Sequence, residues 1–62
     1  MEPESIKDRL VRFLREQNAP LSPKEISRLT GINYNTVRAR LSELRRMGLV
    51  EKTPDGWVAK KT

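Results

Sequence analysis

The strongest constraint on the fold is the short distance between two predicted helices in the middle of the chain. Their sequence patterns place them at about 23–30 and 34–47. Gly31 ends the first of them, because glycine readily adopts the left-handed conformation found just after a helix. Only Ile32 and Asn33 then precede the second helix, and Asn33 is a good N-cap. Two helices joined by so short a turn must pack directly against each other.

The start of helix 2, at 23–30, carries a capping box. Ser22 can accept a hydrogen bond from the backbone of Glu25, Glu25 can reach back to Ser22, and Pro23 suits the first helical position. Ile26 and Leu29 lie three residues apart, so we expect both to face inward.

The other two helices are defined by their apolar spacing. Helix 1 is predicted over about 5–17, with apolar residues at i, i+4, i+7 and i+8: Ile6, Leu10, Phe13 and Leu14. Val11 lies outside this stripe, and we expect it to be exposed. Helix 3, at 34–47, has the predicted buried line Val37, Leu41 and Leu44, and Gly48 follows its end.

After helix 3 the apolar period changes from helical to strand-like. Two strand-length segments flank Pro54-Asp55-Gly56, an order typical of a type I turn followed by a left-handed glycine. A hairpin is therefore predicted over about 49–61, and Leu21 is expected to form a very short strand.

Residues 1–62 are thus predicted to form a single small α+β domain, in the order helix, short strand, helix, helix and C-terminal β-hairpin. A helix-turn-helix followed at once by a hairpin is the winged helix-turn-helix arrangement. Its predicted core comprises Ile6, Leu10, Phe13, Leu14, Leu21, Ile26, Leu29, Val37, Leu41, Leu44, Leu49 and Trp57. Within it, Trp57 is expected to lie as a lid against helix 3 rather than to act as a stacking platform.

Composition argues against several classes of function. The 62 residues include no cysteine and no histidine, which removes disulfides, thiolate nucleophiles, histidine-dependent triads and the usual zinc ligands. The three glycines are too far apart for a phosphate-binding loop, and no pair of carboxylates stands out. We therefore expect no catalysis, no metal and no cofactor or small-molecule ligand. Because no apolar run approaches the roughly 20 residues that cross a bilayer, and no signal-peptide pattern opens the chain, a cytoplasmic location is expected.

The charge excess is local. The chain carries 13 Lys and Arg against eight Asp and Glu, a formal net charge of +5. The stretch 34–47 alone holds four arginines and a single acid, Glu43, so that it contributes +3. A concentrated positive charge of this kind suits a polyanionic partner.

The chain also resembles a known group of proteins over nearly its whole length. The residues that carry the resemblance are Ser22-Pro23-Lys24-Glu25-Ile26-Ser27, Thr30-Gly31, Asn35-Thr36-Val37-Arg38, Leu41, Leu44 and Met47-Gly48-Leu49-Val50. They look like the winged-helix transcriptional regulators of bacteria and archaea, repressors among them. The resemblance implies a double-stranded DNA partner, a recognition helix at 34–47, helix 2 braced against phosphates and a wing at 53–56. It also implies a nucleoid-associated protein, and we expect either a monomer or a homodimer.

The candidate DNA-binding residues follow from this interpretation and from the chemistry of the side chains. Asparagine can pair with adenine and arginine with guanine, whereas hydroxyl and long basic side chains also bind phosphates. The first choices lie at the start of helix 3: Asn33, Asn35, Thr36 and Arg38. The remaining candidates are Ser22, Lys24, Tyr34, Arg40, Ser42, Arg45, Arg46 and Lys52.

Several of these residues have a structural interpretation as well. Asn33 and Ser22 can act as caps, and Thr36 can simply begin the helix. Arg45 can lie across the edge of the core or oppose the helix dipole. Tyr34 either packs over the start of helix 3 or donates its hydroxyl to a phosphate.

A second function also remains open at this point. Winged helices serve as protein-interaction modules in transcription and replication assemblies, and a fold does not determine a function. Such a module should present apolar or acidic residues on the outer face of helix 3, whereas this chain presents polar and basic ones.

Overall fold

A computed structural model describes residues 5–60 and contains three helices followed by a two-stranded antiparallel sheet. The elements are α1 (Ile6–Glu16), α2 (Pro23–Thr30), α3 (Tyr34–Arg46), β1 (Val50–Thr53) and β2 (Gly56–Ala59). The small α+β, winged helix-turn-helix prediction is confirmed, and each helix ends within one residue of its predicted bounds. The strands are shorter than the predicted 49–61, and Lys61 lies outside the described residues.

Each helix begins at a polar cap that satisfies free backbone N–H groups. Ser5 Oγ accepts a hydrogen bond from the Asp8 N–H at 3.1 Å, which starts α1. At α2 the full capping box forms: Ser22 Oγ accepts from the Glu25 N–H, and Glu25 Oε1 accepts from the Ser22 N–H, both at 3.2 Å. These bonds explain why the predicted starts are accurate, since each depends on residues close in sequence.

The turn between α2 and α3 is fixed by hydrogen bonds at Gly31 and Ile32 and by the burial of Ile32. Gly31 has a φ of 76° and its N–H donates to Ser27 O at 2.9 Å, which closes α2. Ile32 is buried; its carbonyl accepts from Ser27 Oγ and its N–H donates to Thr30 Oγ1 at 3.3 Å. The turn therefore has a single geometry, which sets the direction in which α3 leaves α2.

The hairpin pairs β1 with β2 in the register Val50↔Ala59 to Thr53↔Gly56. Leu21 forms a single bridge to Trp57, with the two backbone hydrogen bonds at 2.8 and 3.2 Å. The predicted short strand is thus one residue long. Pro20, which has no N–H, precedes it, and Ser22 already belongs to the α2 cap, so the ladder cannot extend.

Among residues 5–60, nine apolar residues are buried and form one cluster beneath the helices: Leu10, Val11, Leu14, Ile26, Ile32, Val37, Leu41, Leu44 and Val50. Phe13, Leu21, Leu49 and Trp57 are partly buried against this cluster, as is Ala59. The inward lines predicted for α1 and α3 are therefore largely confirmed.

Three of the burial predictions are wrong. Leu29 is 60% exposed and Ile6 is 39% exposed, although the apolar spacing places both in the core, whereas Val11 is buried. Helix α1 contacts both α3 and β2, so its buried face is wider than a single stripe and includes Val11. Helix α2 packs mainly on α3, which leaves Leu29 over an open groove, and Ile6 lies in the first turn of α1.

The turn of the hairpin also differs from the prediction. Gly56 has a φ of 143°, whereas the expected left-handed conformation lies near about +57°. Its register partner is Thr53, so it already belongs to β2. A Cβ atom at Gly56 would lie 2.8 Å from the backbone of Leu21. Glycine is required here because the strand passes directly over the Leu21 segment.

This contact yields a stability prediction. Gly56→Ala combines an unfavourable φ with a backbone overlap and should cost about 3 kcal/mol or more. Gly31→Ala is the matched control, because Gly31 also has a positive φ but a Cβ atom added there would meet no atom within 4 Å; it should cost about 1–2 kcal/mol. Urea unfolding followed by circular dichroism measures both. Equal losses would show that the hairpin does not pack closely on Leu21.

Candidate nucleic-acid interface

The outer face of α3 is polar and basic except at Ala39, which is also exposed. Burial of Val37, Leu41 and Leu44 leaves the opposite side of the helix in solvent. Most of the predicted residues of this helix are exposed, namely Asn33, Tyr34, Asn35, Arg38, Ser42, Arg45 and Arg46, while Thr36 and Arg40 are half-buried. The structure therefore brings these candidates together on one surface.

Asn33 caps α3, as one of its two interpretations predicts. Its Oδ1 accepts hydrogen bonds from the N–H groups of Asn35 at 2.9 Å and Thr36 at 3.4 Å. The side-chain NH2 group of Asn33 is not needed for this cap and keeps its two donors. Capping therefore leaves Asn33 able to donate to a ligand at the start of the helix.

Tyr34 does not reach the core. It is 41% exposed, and its ring lies under the guanidinium of Arg38, with Arg38 Cζ 5.7 Å from the ring centroid. Tyrosine and arginine four residues apart are neighbours on a helix. A tyrosine and an arginine at this spacing are the sequence signal for the pair. The pair is not among the predictions made from the sequence.

One ion pair lies on α3. Arg40 Nη1 is 3.1 Å from Glu43 Oε2, and both side chains are a little more than one-third exposed. Glu43 lies half-buried beside Arg40. Within residues 5–60, no carboxylate forms an ion pair with Arg38, Arg45 or Arg46.

The C-terminal turn of α3 carries Arg45 and Arg46, both exposed. Cations in this position stabilise the negative end of the helix dipole. For Arg45 this favours the dipole interpretation over a side chain lying across the core edge.

The N terminus of α2 already holds an anionic group. Glu25 Oε1 accepts hydrogen bonds from both the N–H and the hydroxyl of Ser22, each at 3.2 Å. This carboxylate lies where a helix N terminus would otherwise bind a phosphate. Lys24 is exposed beside it and is the cation available at this end of α2.

The wing has a defined tip and carries the candidate cation Lys52. Thr53 Oγ1 donates to Gly56 O at 2.8 Å and accepts from the Asp55 N–H at 3.3 Å. Asp55 and Lys52 are both exposed. Trp57 pairs with Lys52 across the sheet and is partly buried against the core; its expected position as a lid against helix 3 stays a prediction.

Fold and surface together define a class of protein: a winged helix-turn-helix DNA-binding domain. Residues 9–54 match the family model of the IclR helix-turn-helix domain. This match covers most of α1, all of α2 and α3, and β1. The chain belongs to this family, whose members are winged-helix DNA-binding domains of bacterial transcriptional regulators. The family domain binds DNA and is not catalytic. Comparisons with curated proteins and with solved structures each gave no significant match.

Two other features of residues 5–60 bear on possible partners. None of the three helices in this part of the chain is long and apolar enough to pass through a bilayer. Over the same residues, no three acidic, cysteine or histidine side chains gather into a group that could hold a metal ion.

The Arg40–Glu43 pair yields a prediction for DNA affinity. Glu43→Gln removes the carboxylate beside Arg40, so that the positive charge of Arg40 becomes available to a phosphate. Affinity for any duplex should rise several-fold at low salt, and the salt slope should steepen by up to about one unit. Glu16→Gln, on α1, makes the same change in net charge and is the control. Fluorescence anisotropy of a labelled duplex measures both; equal gains would mean that net charge alone acts.

Proposed function

We propose that the domain binds double-stranded DNA with α3 in the major groove and with the wing and the N terminus of α2 on the phosphate backbone. The observation that carries this proposal is the outer face of α3. It is exposed, it combines amide, hydroxyl and guanidinium groups, and its single acid, Glu43, is held by Arg40. A helix with this surface matches both the base edges and the phosphates of a duplex.

Base reading is assigned to the first half of α3. A helix that enters the major groove brings the side chains of its N-terminal residues to the base edges. Asn33, Asn35, Thr36 and Arg38 lie there, and Asn35 is exposed with no side-chain hydrogen bond to any residue of 5–60. Asparagine can pair with adenine and arginine with guanine, each through two hydrogen bonds. Ser42, two turns from the start of α3, is the last residue assigned to the groove.

Phosphate binding is assigned to the basic and hydroxyl groups around that face. Arg45 and Arg46 lie in the last turn of α3, where the groove falls away from the helix and a long cation meets the backbone. Arg40 joins them when Glu43 releases it. Ser22 and Lys24 at the start of α2, and Lys52 on the wing, complete the proposed phosphate contacts. Because Ser22 is bonded to Glu25, Lys24 is the main contact expected at α2.

The alternative function is a protein-interaction module in a transcription or replication assembly. That function would require an apolar or acidic outer face on α3. Among the described residues the largest exposed apolar side chain of α2, Leu29, lies in a groove with Arg9, Arg12 and Phe13, away from the α3 face. The surface of α3 itself therefore favours DNA.

The salt dependence of binding tests the electrostatic part of the proposal. Six of the proposed contacts are basic: Lys24, Arg38, Arg40, Arg45, Arg46 and Lys52. Because the logarithm of affinity falls by about 0.9 per phosphate neutralised for each unit of log salt, a slope of about −3 to −5 per monomer is expected. A mobility-shift titration of random duplex DNA at several salt concentrations measures it. No complex at low salt, or a slope near zero, would favour the protein-interaction function.

A second test separates base reading from phosphate binding along α3. Asn35→Ala and Arg38→Ala should lower affinity for a selected site by about 1–3 kcal/mol and change affinity for a scrambled duplex little. Arg46→Ala should weaken both complexes alike and lower the salt slope by about one unit. Binding to the two duplexes at matched salt decides between these outcomes. The reverse pattern would mean that α3 docks in another orientation, and no change in any variant would place the DNA on another surface.

A further inference from the structure

A cation–π contact joins the first residue of α3 to a residue one turn later. Arg38 Cζ lies 5.7 Å from the centroid of the Tyr34 ring, inside the roughly 6 Å within which such contacts attract. Both side chains are exposed, so neither is held in place by the core. The ring is therefore the feature of the described structure that restrains the Arg38 side chain.

The geometry of a helix gives this contact a direction. Side chains lean towards the N terminus of their helix, so a residue at i+4 lies over the residue at i. The guanidinium of Arg38 is thereby carried back towards Tyr34 and the start of α3. This is the end of the helix that the proposed function places at the base edges.

The partner of Arg38 differs in kind from that of Arg40. The Glu43 carboxylate, 3.1 Å from Arg40 Nη1, forms an ion pair that screens the charge of that arginine. An aromatic face attracts a guanidinium through its quadrupole and takes up none of its five N–H donors. Arg38 is therefore restrained but keeps both its charge and its donors, which is the condition for binding a guanine through two hydrogen bonds.

We propose that Tyr34 is a positioning residue for DNA site selection: its ring holds the Arg38 guanidinium in a conformation ready to read a base. This inference rests on the proposed function, and it gives the positioning role to the ring of Tyr34 rather than to its hydroxyl. A free arginine loses much rotamer freedom when it binds a base, whereas one already held on a ring loses less. The ring therefore strengthens the base contact without touching the DNA bases itself.

The test uses two substitutions that separate the ring from the hydroxyl. Tyr34→Phe keeps the ring; Tyr34→Leu removes it but retains apolar bulk and good helix propensity. Tyr34→Leu should lower the preference for a selected site over a scrambled duplex about two- to fivefold, the size of an exposed cation–π contact. Its affinity for the scrambled duplex should stay unchanged, and Tyr34→Phe should retain the full preference.

A double-mutant cycle provides the control. If the ring acts through Arg38, Tyr34→Leu should have no further effect on site preference once Arg38→Ala is present. Three results would overturn the proposal. Equal losses in Tyr34→Phe and Tyr34→Leu would assign the role to the hydroxyl; equal weakening of both duplexes would assign a backbone contact; and a loss that persists beside Arg38→Ala would remove the link between the residues.

Nuclear magnetic resonance of the DNA-free protein separates this inference from the proposed function. The Arg38 Hδ and Hε resonances should show a ring-current shift in the parent protein and in Tyr34→Phe, but not in Tyr34→Leu. If the parent protein shows the shift yet binds no duplex, the proposed function fails and the positioning role fails with it. If the protein selects a DNA site and Arg38→Ala leaves that selection intact, DNA binding stands and the positioning role alone is wrong.

Discussion

The turn between α2 and α3 is the constraint on which the rest of this structure depends. Gly31 allows the chain to leave α2 with a φ of 76°, Ile32 anchors the turn in the core, and Asn33 caps α3. Three consecutive residues thus perform three different tasks, so the turn has little freedom to relax. Because the direction of α3 is set there, the turn also determines which face of α3 is buried and which face is exposed.

The core and the candidate interface are two sides of the same helix. Val37, Leu41 and Leu44 hold α3 against α1, α2 and β1, and this packing leaves the polar and basic side chains opposite them in solvent. A domain of this size has limited stability to spare. The proposed base contacts nevertheless need a rigid helix, since they depend on side chains held within a fraction of an ångström. The Leu21–Trp57 bridge adds to this rigidity by tying the hairpin to the start of α2.

The arginines of α3 lie in three kinds of local environment. Arg40 is held by a carboxylate, whereas Arg38 rests on an aromatic ring that leaves its donors open. Arg45 and Arg46 oppose the helix dipole at the far end. The +3 charge counted from the sequence therefore overstates the positive charge that a polyanion can reach. Each arginine has its own local environment. The number of arginines suits a polyanion, but their partners decide how each can bind.

Local signals in the sequence determined the helix starts, the turn between α2 and α3, the hairpin, and the inward lines of α1 and α3. Caps, glycine conformations and apolar periods all involve residues that are close in the chain. They also determined which polar side chains lie on the face opposite Val37 and Leu41. Only the tertiary structure decided that Val11 is buried and Leu29 exposed, since burial depends on which elements cover a residue. Here β2 packs on α1, whereas Leu29 borders an open groove between α2 and α1. It likewise decided that Gly56 must be glycine, because the Leu21 backbone that excludes a Cβ atom is 35 residues away in sequence and meets it only when the chain has folded.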